Sequence, residues 1–156
     1  MVSKVGKLVT FRGTFQADAS GNYTGYRIML DDGDDTTAYR IYEVYCWSVD
    51  TVSSADGCLI VSTLEEGVTD YAVGQQNAGD NRQIAWSAWS NTGSSGDRNI
   101  TQALVDPDNI VNEDLWLGAY NTSSGSDDVN YLIIAEKIKL NLTENLYTTV
   151  RNYSQG

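Results

Sequence analysis

Short runs in which apolar and polar residues alternate recur along this chain, and clusters of Gly, Asn, Asp and Ser separate them. In residues 4–16, Val9, Phe11 and Phe15 share one parity, while the residues between them are mainly polar. Successive side chains of a strand point to opposite faces, so this pattern is typical of a strand with one buried face. Proline occurs only once, at Pro107, so little interrupts the runs. The pattern therefore predicts a protein built from short antiparallel strands.

The runs predicted as strands are 4–16, 24–31, 36–49, 58–64, 82–90, 100–105, 109–121 and 129–142. Residues 65–81 are rich in Gly, Asn, Gln and Asp and are predicted to be a long loop. The run 129–142 is apolar on both parities, which favours a central strand. No helical crossover separates the strands, so a parallel sheet is excluded. Among a sandwich, a jelly roll and a small barrel, we favour an all-β, antiparallel, jelly-roll-like sandwich formed as one domain by residues 1–156.

Three turns are predicted to join neighbouring strands as hairpins. Residues 31–35 (DDGDD) contain the Asp-Gly pair that is typical of a tight hairpin turn, and 122–128 form a polar hairpin loop. The third turn, 50–57, is flanked by Cys46 and Cys58, which are the only cysteines. The two could lie opposite each other and form a cross-strand disulfide. The alternative, two buried free thiols, is the usual state of such cysteines.

A short helix is predicted at 143–153. Thr143 is expected to be its N-cap, with Glu144 in the first turn. A narrow apolar stripe recurs at helical spacing and consists of Leu146, Val150 and Tyr153. Two roles are open for this helix: it closes one end of the sandwich, or it docks on a neighbouring subunit.

Charge and missing residue types limit the function. The chain has 21 acidic and 10 basic residues, a net charge of −11, which disfavours nucleic acid because phosphate binding requires clustered Lys and Arg. It contains no histidine, so triads and metal sites that depend on histidine are excluded. We therefore predict a structural or binding protein without a cofactor rather than an enzyme. A pair of carboxylates acting on a glycoside is the remaining catalytic alternative.

Two groups of side chains are candidates for binding. Trp86 and Trp89 differ in parity, so we expect one of them to face the core and the other to face out, and an exposed Trp89 beside the loop 91–97 would suit a ligand or subunit contact. The alternative is that both pack inside the sandwich. The complete set of interface or ligand candidates is Trp86, Trp89, Tyr147, Val150 and Tyr153. A possible calcium site is formed by Asp31, Asp32, Asp34 and Asp35, although a solvated turn is the simpler interpretation.

The segments 105–117 (VDPDNIVNEDLWL) and 129–137 (VNYLIIAEK) resemble small β-rich proteins predicted from the genomes of uncultured marine phages and archaeal viruses. This resemblance implies a virion component, either a capsid shell subunit or a capsid-decorating subunit, whose partners are copies of itself and other virion proteins. The start of the chain lacks the apolar stretch of a signal peptide, and no run is long enough to span a membrane. We therefore expect synthesis in the host cytoplasm and location in the virion. A carbohydrate-binding or receptor-binding sandwich module is the alternative function.

Overall fold

The computed structural model describes residues 6–30, 34, 36–91 and 98–154. These residues form eight β-strands and two helices. In chain order the elements are β1 (Lys7–Gln16), β2 (Tyr26–Ile28), β3 (Thr37–Ser48), β4 (Ala55–Ser62), α1 (Glu66–Thr69), β5 (Gln83–Asn91), β6 (Arg98–Val105), β7 (Leu115–Asn121), β8 (Asp128–Lys139) and α2 (Leu142–Ser154).

The strands form two antiparallel sheets that pack face to face. One sheet has three strands in the order β1-β8-β3, and the other has five in the order β2-β7-β4-β5-β6. Their inner faces share one hydrophobic core, in which Ile41, Leu59, Leu115 and Ile133 are almost completely buried. The prediction of an all-β antiparallel sandwich with a short C-terminal helix is confirmed.

Strand β8 is the centre of the three-stranded sheet, as its apolar pattern predicted. It pairs with β1 on one side and with β3 on the other. Val129, Tyr131 and Ile133 point into the core between the sheets. Leu132 and Ile134 alternate with them and therefore point to the outer face of this sheet.

The three predicted hairpins are wrong, because the chain passes from one sheet to the other at each of these turns. β2 pairs with β7 and β3 pairs with β8, so residues 29–36 join different sheets. The same is true of residues 49–54, between β3 and β4, and of residues 122–127, between β7 and β8. Asp-Gly and Gly/Ser clusters are typical of turns, but they do not decide which strand the chain pairs with next.

The two cysteines are free and buried, so the disulfide alternative is wrong and the free-thiol alternative is right. Cys46 lies in the three-stranded sheet and points into the core, whereas Cys58 lies in the five-stranded sheet and points to its outer face. Burial raises the pKa of the Cys46 thiol well above its ordinary value. Desolvation also raises the pKa of the Cys58 thiol, which lies 3.2 Å from the Tyr23 hydroxyl oxygen.

The segment predicted as a long loop, 65–81, contains α1 and packs over part of the outer face of the five-stranded sheet. Val68 and Tyr23 pack there against Cys58 and Ile60, and form a second, smaller core. Gly118 makes this close approach possible, because a Cβ atom at its position would lie 2.5 Å from Val68 Cγ1. The five-stranded sheet therefore has apolar side chains on both faces, and its outer face is covered around Cys58 and Ile60.

A buried polar side chain bonds to the backbone of β3 at a β-bulge. The pairing of β3 with β8 shifts between Ile41 and Glu43. At this bulge, the buried Asn109 accepts a hydrogen bond from the Ile41 amide at 2.8 Å and donates one to the Ile41 carbonyl at 2.9 Å. The predicted strand 109–121 begins only at Leu115, since Asn109 and Val111 bond to the edge of β3 instead.

Candidate subunit-contact surface

Helix α2 starts with a capping box. The Asn141 side chain accepts a hydrogen bond from the Glu144 amide at 2.7 Å, and the Glu144 carboxylate accepts one from the Asn141 amide at 2.9 Å. These reciprocal bonds satisfy amides at the start of the helix that have no partner within it. The prediction of Thr143 as the N-cap is therefore wrong, whereas Glu144 lies in the first turn as predicted.

Polar side chains hold α2 against the sandwich. Asn112 donates a hydrogen bond from its amide nitrogen to Thr149 Oγ1 at 2.6 Å, and Asn152 donates one to the carbonyl of Ile110 at 3.2 Å. Both contacts lie on the connection between β6 and β7. Thr148 is on the same side of the helix and is 7% exposed. The helix therefore turns a polar face toward its own sandwich.

The apolar stripe of α2 faces away from the sandwich. The side chains of Leu146, Tyr147 and Val150 are 65%, 70% and 56% exposed. In a helix these positions lie on the side opposite Thr148 and Asn152, since consecutive residues are about 100° apart. We call these three side chains the α2 apolar face. The helix therefore lies against its own sandwich through its polar side, with Leu146 and Val150 turned away from it, and its docking on a neighbouring subunit stays a prediction. The Tyr153 side chain lies outside the part of the chain that the structure describes.

The two tryptophans of β5 lie on opposite faces of the sheet, as their parity predicted, but Trp89 is not the exposed one. Trp89 is 4% exposed and belongs to the main core, where its ring lies over Gly57. Trp86 lies on the outer face of the five-stranded sheet, half-buried among residues of the second core, and its indole N–H donates to Gln83 Oε1 at 2.9 Å. Neither side chain forms the exposed platform that a glycan-binding module would use. Trp86 and Trp89 are therefore not supported as contact residues.

The proposed calcium cluster falls mostly outside the described residues, which include Asp34 but not Asp31, Asp32 or Asp35. The Asp34 carboxylate accepts hydrogen bonds from the amide and hydroxyl of Thr36, at 2.9 and 2.6 Å, and forms an ion pair with Lys139. The bond from Lys139, followed by those from Thr36, lowers the pKa of Asp34 well below its usual value. Asp34 therefore has partners within the protein for its charge.

A second apolar surface lies on the outer face of the three-stranded sheet. It consists of Leu8, Tyr45, Trp47, Leu132 and Ile134, and we call it the open sheet face. Leu8 is 63% exposed and the others are half-buried, and none of the five belongs to either hydrophobic core. In contrast to the five-stranded sheet, no described segment packs over this face as 65–81 does over the other.

One end of the open sheet face carries a charged group held by hydrogen bonds. Glu136 is 6% exposed and accepts bonds from the Tyr42 hydroxyl and from the Gly6 amide, each at 2.5 Å. The bond from Tyr42, followed by that from Gly6, lowers the pKa of Glu136, so its carboxylate stays ionised. Arg40 is paired with Glu136 across the strands, and its Nε atom is buried without a hydrogen-bond partner among the described residues.

The sequence contains one indication of the open sheet face, in the same run that predicts a central strand. Apolar residues on both parities of 129–142 correctly predicted a central strand. In a sandwich, however, the outer face of a central strand meets solvent unless another element covers it. Leu132 and Ile134 therefore also indicated a surface available to another chain.

No family model, curated protein or solved structure matches this chain. Neither helix in the described ranges has the length and apolar character needed to cross a membrane.

Proposed function

We propose that this chain is a structural subunit that assembles with copies of itself through the α2 apolar face, as the shell or decorating subunit of a virus particle. The observation that carries the proposal is the orientation of α2. An amphipathic helix on a globular protein ordinarily buries its apolar side against its own core. Here Thr148 and Asn152 face the sandwich, whereas Leu146, Tyr147 and Val150 face outward.

The arrangement suits a fixed contact surface. The capping box at Asn141 stabilises the start of the helix, and the bonds made by Thr149 and Asn152 position it. A rigid, preorganised apolar surface loses little conformational entropy on association. Tyrosine exposed among aliphatic side chains is also typical of protein contact surfaces.

The virion role is supported by the resemblance of segments 105–117 and 129–137 and by the kind of fold. β-Sandwich domains, which need no cofactor, are common subunits of viral capsid shells. The α2 contacts lie within one of the resembling segments, since Ile110 and Asn112 hold the helix. One of the two segments that carry the resemblance, 105–117, therefore also holds the helix that carries the proposed contact.

The experiment is the mass in solution, measured by light scattering on a sizing column over a range of protein concentrations, with negative-stain images of the heaviest fraction. We expect the mass to rise above the 17.1 kDa of one chain toward a defined multiple, with uniform rings or shells in the images. A monomer at every concentration and salt would overturn the proposal. Assembly into irregular aggregates without a repeating unit would overturn the shell role.

A further inference from the structure

Building on the proposed self-assembly, we infer that α2 of one copy docks on the open sheet face of a second copy. The chain presents both surfaces, and each is apolar and lacks a covering element among the described residues. One is a convex ridge made by Leu146, Tyr147 and Val150. The other is the outer surface of three neighbouring strands, with Ile134 and Leu132 at its centre.

The dimensions of the two surfaces correspond. α2 has 13 residues, which gives a length of about 20 Å. The strand β1 from Leu8 to Thr14 also extends about 20 Å. Three strands place their outermost backbones about 10 Å apart, which is close to the diameter of a helix with its side chains. A helix lying along the sheet would therefore cover the open sheet face across its full width.

Charge favours this pairing over others. The chain carries a net charge of −11, so copies repel each other wherever acidic surfaces meet. α2 contains one acid, Glu144, and one base, Arg151, which reaches the carbonyl of Asp108. The outer side of the three-stranded sheet carries three acids, Glu43, Asp128 and Glu136, and two bases, Arg12 and Arg40. The net charges of zero on the helix and −1 on this side of the sheet are therefore small beside the −11 of the whole chain.

Arg12 is the donor on the sheet that can meet the acidic end of a docked helix. Its side chain is exposed on the outer side of the sheet, next to Leu132 of the neighbouring strand. Glu144 lies one helical turn before Tyr147, at the border of the α2 apolar face. A docked helix can place this carboxylate near a guanidinium group, which adds a charge-assisted hydrogen bond at the rim of the contact.

A contact between two different surfaces of the same chain is heterologous. Each copy then donates a helix to one neighbour and receives a helix from another, so assembly continues into a ring or a longer array. A contact of helix with helix would instead be symmetric and would end at a dimer.

Complementation between two variants tests the inference. The helix variant carries Leu146→Asp and Val150→Asp, and the sheet variant carries Thr10→Glu and Arg12→Glu. All four positions are exposed, so we expect both variants to keep the circular dichroism spectrum and thermal midpoint of the wild type. Each variant alone is expected to be a monomer. Their equimolar mixture is expected to form a 1:1 dimer, twice the 17.1 kDa chain mass, because each variant still has the surface that the other lacks.

The outcomes separate this inference from the proposed function. A sheet variant that assembles like the wild type, or a mixture that stays monomeric while the wild type assembles, overturns helix-on-sheet docking and leaves self-assembly standing. A wild-type protein that is itself monomeric overturns both. A control with Met29→Asp and Val52→Asp makes the same kind of change at residues that are 72% and 73% exposed, and should assemble like the wild type.

Discussion

Replacing Leu146 and Val150 together with aspartate is expected to abolish assembly and leave a folded monomer. Both side chains are more than half exposed in the isolated chain, so the substitutions remove few contacts within it. In an assembled protein, the same side chains would be buried against a neighbour. Loss of two such aliphatic groups, each contributing about 1.5–3 kcal/mol when fully buried, weakens association by roughly 100-fold or more.

The carboxylates add to this effect. A charge moved from water into an apolar contact is strongly unfavourable unless it is paired, and the chain already carries an excess of acids. Sedimentation velocity at several concentrations measures the change directly. The Met29→Asp and Val52→Asp control has the same added charge and should keep the wild-type distribution. Assembly of the helix variant at wild-type concentrations would show that α2 is not the contact.

Replacing Asn109 with alanine is expected to lower the free energy of unfolding by about 2–4 kcal/mol. Asn109 is 4% exposed, and its side chain makes the hydrogen bonds to the Ile41 amide and carbonyl that a neighbouring strand would otherwise make. Alanine leaves both backbone groups buried without partners, and each such group costs about 1–3 kcal/mol. In a chain of this size, the thermal midpoint is expected to fall by about 5–15 °C.

Asn22 provides a matched control for this substitution. Its side-chain amide also donates to a backbone carbonyl, that of Thr69 at 3.0 Å, but the bond is exposed. Asn22→Ala is therefore expected to change stability by less than about 1 kcal/mol, because water replaces the lost partner. Chemical denaturation of both variants gives the comparison. Equal losses in the two would show that the Asn109 bonds do not stabilise the bulge in β3.

The strands could be predicted from the sequence because their burial pattern is local. β3 and β8 begin and end within a few residues of the predicted runs 36–49 and 129–142. Their pairing could not be predicted, because it depends on contacts between residues about 90 positions apart, such as Ile41 with Ala135. The hairpins predicted at 31–35, 50–57 and 122–128 were wrong for this reason.

The orientation of single side chains also depended on pairing. Alternation correctly placed Trp86 and Trp89 on opposite faces of β5, but it could not say which face was the core. Trp89 can face the core because the residue opposite it is Gly57. A side chain at position 57 would place its Cβ atom 1.9 Å from the Trp89 ring. The apolar stripe of α2 was likewise visible in the sequence. Its outward direction follows from the bonds of Asn112 and Ile110 to the opposite side, which no pattern within the helix reveals.

Hydroxyl-radical footprinting of the wild-type protein at low and high concentration tests most directly whether copies meet through α2. Radical oxidation of a side chain reports its exposure, and Tyr147 is 70% exposed in the single chain. We expect the oxidation of Tyr147 to fall severalfold as the protein assembles, while that of Met29, which is 72% exposed, stays constant. An unchanged oxidation rate at Tyr147 in protein whose mass has risen would contradict the account.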